Sequence, residues 1–229
     1  MLSTIKMNFW KNLFKKKQAT VSDNHFLKQK GEHIDYYANS WVDNEIPQLD
    51  IEIARLIYQK ELDENTINTF LNFSPDSDYG ETGWSQKGEL NFPGPFYTGE
   101  SDTCGTGIIE SPKNVIFDEN CMEHIMIQPR NKIELLQLWN AGAVEVFGSY
   151  YCDGNKHWTV QLVRDWWSRR DEILQHLKNE ELIKMNCNQE KRYKHYLENY
   201  AELDLKKYCF FLENGFYPTN EKLPELNKG

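Results

Sequence analysis

Residues 93–107 read Pro93-Gly-Pro-Phe-Tyr-Thr-Gly-Glu-Ser-Asp-Thr-Cys-Gly-Thr-Gly107, and the wider segment 75–107 gathers seven of the 13 glycines and three of the 8 prolines. Proline lacks a backbone donor and glycine weakens helix and strand alike, so this segment is neither a continuous helix nor a central strand. It divides the 229 residues into periodic flanks around a loop-rich centre.

Just downstream, Asn114–Phe117 and His124–Ile127 are short, β-prone runs separated by Asp-Glu-Asn, which predicts a hairpin closed by Pro129. Asn131 and Glu134 form a capping-box-like start for a helix carrying Ile133, Leu135, Leu136 and Leu138 and stopping near Gly142. A second β stretch, Val144–Tyr151, runs into the turn signal Asp153-Gly154-Asn155. Thr159 then caps a helix whose Val160, Val163, Trp166, Trp167, Ile173, Leu174 and Leu177 recur at three-to-four spacing. A last helix spans about Gln189 to Glu213, with Tyr193, Leu197, Tyr200, Tyr208, Phe211 and Leu212 on one side and Gly215 and Pro218 as its stop.

Upstream, residues 51–61 and 63–73 read as two helices, the second capped by Asp63. Residues 5–17 set Ile5, Phe9, Trp10, Leu13 and Phe14 on one helical face among Lys6, Lys11 and Lys15–Lys17, a basic amphipathic pattern capable of contact with an anionic membrane surface. The organisation predicted is a basic amphipathic leader over 1–22 and a single globular α+β domain over 23–229. Within that domain, 23–73 is helical, 74–158 is a small central antiparallel β element with a long Gly/Pro-rich loop, 159–215 forms long C-terminal helices, and 216–229 is a tail.

With 39% hydrophobic and 14% aromatic residues, the chain can bury roughly 70–75% of its unfolded surface, which excludes wholesale disorder. No uninterrupted apolar run approaches a membrane span. Five cysteines, an odd number at wide spacing, and an N-terminus without an apolar signal region point to a reducing, cytoplasmic setting. The formal net charge is -9, and its distribution is uneven. Residues 1–60 hold 9 basic and 7 acidic residues, 61–123 hold 2 and 13, and 124–229 hold 15 and 15. An acidic middle argues against nucleic-acid binding, which uses Lys and Arg to displace counterions from phosphates.

Four chemistries can be weighed from residue types. An iron–sulfur cluster needs thiolates at close spacing, and Cys104, Cys121, Cys152, Cys187 and Cys209 are nowhere near one another in sequence. Zinc fits better: Cys121 with His124, and Cys152 with His157, would supply four N/S ligands, against the alternative that these are buried thiols and satisfied histidines. Nucleophilic catalysis would use Cys104 in its glycine-flanked loop, His157 as base and Asp153 as orienter, but an acidic loop opposes thiolate formation. The fourth is recognition: Asp76, Asp78, Glu81, Glu89, Glu100 and Asp102, interleaved with Trp84, Phe96 and Tyr97, would give a basic protein partner electrostatic capture and aromatic anchors. The competing reading is a solvated charged face beside core aromatics.

The combination of residues 93–99 and 102–107 with Gln128-Pro129-Arg130, Asp153-Gly154-Asn155, His157-Trp158-Thr159, Val163-Arg164, Trp166-Trp167, Tyr208–Gly215 and Leu223-Pro224 resembles a bacterial family sometimes labelled "ferredoxin". The resemblance covers roughly residues 90–226 and implies no particular reaction; the cysteine spacing speaks against the label. In size and composition the chain is also similar to small acidic immunity proteins carried beside bacterial polymorphic toxins. The expectation is therefore a cytoplasmic toxin-neutralising protein that occludes a basic toxin domain, plausibly a nuclease, without a cofactor. The alternatives are a generic protein-interaction module, or an enzyme using Cys104 and His157 or a Cys/His metal site.

Overall fold

Two antiparallel strand pairs sit among ten helices in the computed structural model, which describes residues 45–75, 83–186 and 188–226. The leader 1–22, the helical face over 5–17, the start of the helical region up to residue 44, and Asp76, Asp78 and Glu81 lie outside the described residues. The architecture is α+β with the helices weighted toward the C-terminus.

Helix α1, Ile51–Ile57, starts where the Asp50 side chain accepts the Glu52 N–H. Helix α2, Glu64–Leu71, starts likewise at Asp63, whose carboxylate accepts the Thr66 N–H at 2.8 Å. The first helix stops short of the expected residue 61 because the Ile57 and Gln59 carbonyls are taken from across the fold by the Asn155 amide, at 2.8 Å each.

The glycine- and proline-rich centre is ordered by side-chain amides standing in for a sheet. Asn91, fully buried, donates to the Gly88 and Thr98 carbonyls and accepts from the Thr98 and Ile125 N–H groups. Gln128 accepts the Phe96 N–H and donates to the Phe92 and Phe96 carbonyls. Buried backbone groups that cannot find a ladder partner are thus satisfied. Strand β1, Tyr97–Thr98, forms inside the presumed loop, where the sequence reading placed no strand. Helix α3 follows over Thr106–Glu110.

The hairpin expected at 114–127 is present as β2, Val115–Phe117, paired with β3, Glu123–Ile125, the return strand starting one residue early. Asp118 organises its turn by accepting the Asn120 and Met122 N–H groups, while Cys121 takes a left-handed φ of 63°. Helix α4, Lys132–Val144, is capped by Asn131, but Glu134 reaches past Asn131 to the Arg130 N–H. It buries Leu135, Leu138 and Trp139, whose indole donates to Asn68 of α2 at 2.8 Å, and leaves Ile133 and Leu136 exposed.

Because α4 runs to Val144, the second β stretch shrinks to β4, Tyr150–Tyr151, antiparallel to β1 with Tyr97 opposite Tyr151. The Asp153-Gly154-Asn155 signal opens a short helix, α5, Gly154–His157. Gly154 is required there: its N–H donates to the Pro95 carbonyl, and a Cβ would sit 2.3 Å from the Gly94 carbonyl oxygen.

Thr159 caps α6, Val160–Ser168, as expected, and a cap of this kind contributes about 1 kcal/mol. The helix breaks at Arg169, and α7 continues over Arg170–His176, followed by α8, Glu180–Met185. The long C-terminal helix is likewise two, α9 Gln189–Asn199 and α10 Ala201–Asn214, broken at Tyr200 and ended by Gly215 at φ 79°. The Trp and Tyr stripes of these helices are core: Trp166, Trp167, Tyr193, Tyr196 and Tyr208 are buried, and Phe92 packs edge-on against Trp166 and Tyr196. Among the described residues no helix is long and apolar enough to cross a membrane.

Candidate functional site

The short helix α5 brings Asp153 and His157 one turn apart, and His157 Nε2 meets Asp153 Oδ2 at 2.9 Å. The other Asp153 oxygen accepts the Tyr97 hydroxyl at 2.8 Å, so β1 and α5 are joined through one carboxylate. Burial first, then the bond to Asp153, pushes the Tyr97 phenol far above its ordinary value, so it stays a donor. Trp84, half-buried, stacks on the His157 ring with centroids 5.0 Å apart. Lys87 lies against the Trp84 and Trp158 rings, and burial lowers its ammonium to about 8. This is the base-and-orienter half of a nucleophilic triad. The nucleophile half is missing, since among the described residues no cysteine or serine side chain hydrogen-bonds His157.

Cys104 stands elsewhere. It is exposed at the start of α3, its N–H donating to Asp102 Oδ1 at 2.7 Å. The Asp102 charge, then the hydrogen bond to Asp102, raises the thiol above its ordinary value. A catalytic thiolate needs the reverse. Cys104 is therefore expected to react with iodoacetamide at pH 7 more slowly than a free cysteine despite its exposure, and to speed up in Asp102→Asn; labelling faster than the free amino acid would refute this.

The two proposed zinc pairs do not meet. His124 gives Nε2 to Asp118 at 3.2 Å and His157 gives Nε2 to Asp153, while Cys152 is buried with its thiol pushed up to about 12 by burial and then by Glu64 and Asp153. Cys121 sits in the hairpin turn. Among the described residues, no group of three or more His, Cys, Asp or Glu side chains is placed to hold a metal ion.

What the fold does assemble is a set of three buried carboxylates from segments far apart in sequence. Asp102 follows β1, Glu123 opens β3, and Glu145 ends α4; they are 3%, 0% and 5% exposed. Glu145 accepts the N–H groups of Asp102, Phe147 and Ser149, and Asp102 accepts those of Cys104 and Val146. Glu123 accepts the Gly107 N–H and the Tyr150 hydroxyl, each at 2.7 Å. Burial, with Asp102 and Glu145 adding repulsion, pushes Glu123 up to about 7 even though these two hydrogen bonds pull it down. Among the described residues, no Lys or Arg pairs with any of the three.

The sequence-predicted contact residues divide accordingly. Glu89 and Glu100 are exposed, Glu89 already paired with Arg169. Trp84 is half-buried. Phe96 and Tyr97, each 1% exposed, and buried Asp102 are core residues, so they offer a partner no contact area; the Gly/Pro loop that carries them is pinned inward by Asn91 and Gln128. Glu123, Glu145 and Phe147 were missed. The available signal was a charged residue inside an otherwise apolar short strand, Glu123, and a Val146-Phe147 pair beside Gly148 in a turn.

No family model matches the chain, and neither a curated protein nor a solved structure resembles it closely enough to count as a match.

Proposed function

We propose that the chain is a cytoplasmic immunity protein that binds and occludes a basic toxin domain. The observation carrying this reading is the buried acidic set Asp102, Glu123 and Glu145, which no Lys or Arg pairs with among the described residues, beneath a rim where Glu100, Val146 and Phe147 are exposed. Carboxylates that no Lys or Arg pairs with among the described residues, Asp102 and Glu145 with the exposed Glu100, project a negative potential that speeds capture of a positive surface. Exposed apolar side chains beside that field supply the desolvated contact that affinity requires. A nuclease active site is built to receive phosphate, and the exposed Glu100 carboxylate, with the buried acidic groups behind it, competes for the same cationic groups.

Two competing readings fare differently. Residues 93–99 of the loop and the side chains of Trp166, Trp167, Tyr193, Tyr196 and Tyr208 are buried, as a generic interaction module would have them, and this is compatible with binding through a rim that includes the exposed Glu100. Against the thiol-enzyme alternative, the Cys104 thiol is raised rather than lowered, and among the described residues no histidine hydrogen-bonds it.

The test is equimolar mixing with the basic toxin domain that this reading requires to be encoded beside the gene. Loss of toxin activity is expected, with affinity falling as salt rises because surface charges are screened, and Glu100→Lys should weaken the complex. Undiminished toxin activity at large excess, or a gene neighbourhood without a toxin, would overturn the reading.

A further inference from the structure

We infer that the cleft between Phe147 and Tyr151 is an anchor site for one arginine side chain of the partner, with Glu100 as its carboxylate and the Phe147 ring as its stacking face. The inference rests on the basic-partner reading above and adds the chemistry of the central contact. The cleft has a volume of ≈ 370 Å³ and is lined by Gln86, Glu100, Phe147, Ser149 and Tyr151, among others.

Among the described residues, the walls of the cleft carry an exposed ring, two hydroxyls without a hydrogen bond and a carboxylate without an ion pair. Phe147 is 72% exposed, so its ring still holds apolar surface whose removal from water is favourable. Its backbone is nevertheless held, the N–H donating to Glu145 Oε2 at 3.0 Å, so the ring projects from an ordered turn. Tyr151 is stacked on Tyr97 with centroids 5.0 Å apart, and among the described residues its hydroxyl has no hydrogen bond. Ser149 is 3% exposed, its N–H spent on Glu145, and its hydroxyl is buried without a partner. A buried hydroxyl without a hydrogen bond has lost its water and gained nothing in return, so one at the wall of a cleft is a position where a ligand donor recovers energy. Among the described residues Glu100 makes no ion pair, and the Asp102 and Glu145 carboxylates lie behind it in the chain's own interior.

A cation is what these groups have in common, and the aromatic walls select its kind. Guanidinium is planar, weakly hydrated, stacks on aromatic faces and spreads five donors, enough for a two-pronged contact with a carboxylate and further bonds to hydroxyls. An ammonium is a strongly hydrated point charge and loses more on entering.

Titration of the full chain with acetyl-Gly-Arg-Gly-amide, its lysine and glutamate counterparts, followed by amide NMR, tests this. The arginine peptide is expected to shift the Phe147, Ser149 and Tyr151 amides and to bind at least about threefold tighter than the lysine peptide, with no binding of the glutamate peptide. Glu100→Gln should weaken the arginine peptide about five- to tenfold, and Phe147→Ala should erase the preference for arginine over lysine. Both side chains are exposed, so folding is preserved and is checked by the urea midpoint. Equal binding of arginine and lysine by the unaltered protein, or unchanged binding in both variants, overturns the anchor site. If toxin inhibition persists in both variants, the anchor fails while the basic-partner reading stands; if no basic peptide binds and no toxin is inhibited, both fail.

Discussion

Replacing Asp204 with alanine is expected to destabilise the protein by about 3–5 kcal/mol at neutral pH, read as a fall in the urea midpoint. Asp204 on α10 accepts from the Arg130 guanidinium and from the Tyr196 hydroxyl of α9, with both charged side chains about nine-tenths buried. Arg130 also donates to the Pro47 carbonyl and lies over the Tyr196 ring, so one ion pair ties the segment before α1, the segment before α4, and both C-terminal helices. Burial opposes the guanidinium charge, but Asp204 and the surrounding tyrosine oxygens outweigh it and hold Arg130 protonated. Removing the carboxylate leaves a desolvated cation without an anion, which is why the loss exceeds the worth of the pair itself. The double variant Arg130→Met with Asp204→Leu, which removes both charges, should recover much of the loss. A single-variant effect below about 1 kcal/mol would refute the argument.

The second large effect is a pH dependence assigned to Glu123. Its carboxyl has an ordinary value of 4.5 and is pushed up to about 7 in the folded protein. A raised carboxyl means the folded state holds the proton more tightly than the unfolded state. Its stabilising contribution is therefore complete below about 4.5 and is lost as pH rises through 7. At about 1.4 kcal/mol for each pH unit between those values, the whole loss is about 3.5 kcal/mol, of which about 3 kcal/mol falls above pH 5. The measurement is the stability of the unaltered protein relative to Glu123→Gln at pH 5 and pH 8.5. The uncharged amide resembles the protonated acid, so the unaltered protein should fall relative to the variant by that amount between the two pH values. A pH-independent difference would show that Glu123 is ionised at ordinary cost.

The helix starts were legible because they depend on neighbours in sequence. Asp63, Asn131 and Thr159 cap helices with bonds to N–H groups three residues on, and Gly215 ends α10 in the left-handed region where a side chain would be strained. The helix interiors were less legible. Arg169 and Tyr200 interrupt runs whose apolar spacing continues past them, since the break is dictated by what each half packs against and not by its periodicity.

The candidate site shows the same boundary. His157 and Asp153 could be paired from sequence because four residues bring them to one side of a helical turn. That Tyr97 completes the chain, 56 residues away, could not be read. The Phe96 and Tyr97 contacts failed as surface predictions because composition marks a segment as polar and aromatic without saying which side faces inward.

By itself, the sequence determined the α+β class, the caps at Asp63, Asn131 and Thr159, a hairpin within 114–127 and the concentration of acidity in residues 61–123, since each follows from local spacing or counting. Only the tertiary structure decided that Asn91 and Gln128 turn the glycine- and proline-rich segment inward, and that Asp102, Glu123 and Glu145 come together under Phe147. The long-range members, Asn91 with Ile125, Gln128 with Phe92 and Phe96, and Asp102 with Glu145, join residues 32 to 43 positions apart, and their energy comes from burial and hydrogen bonds that exist only once the chain has closed on itself.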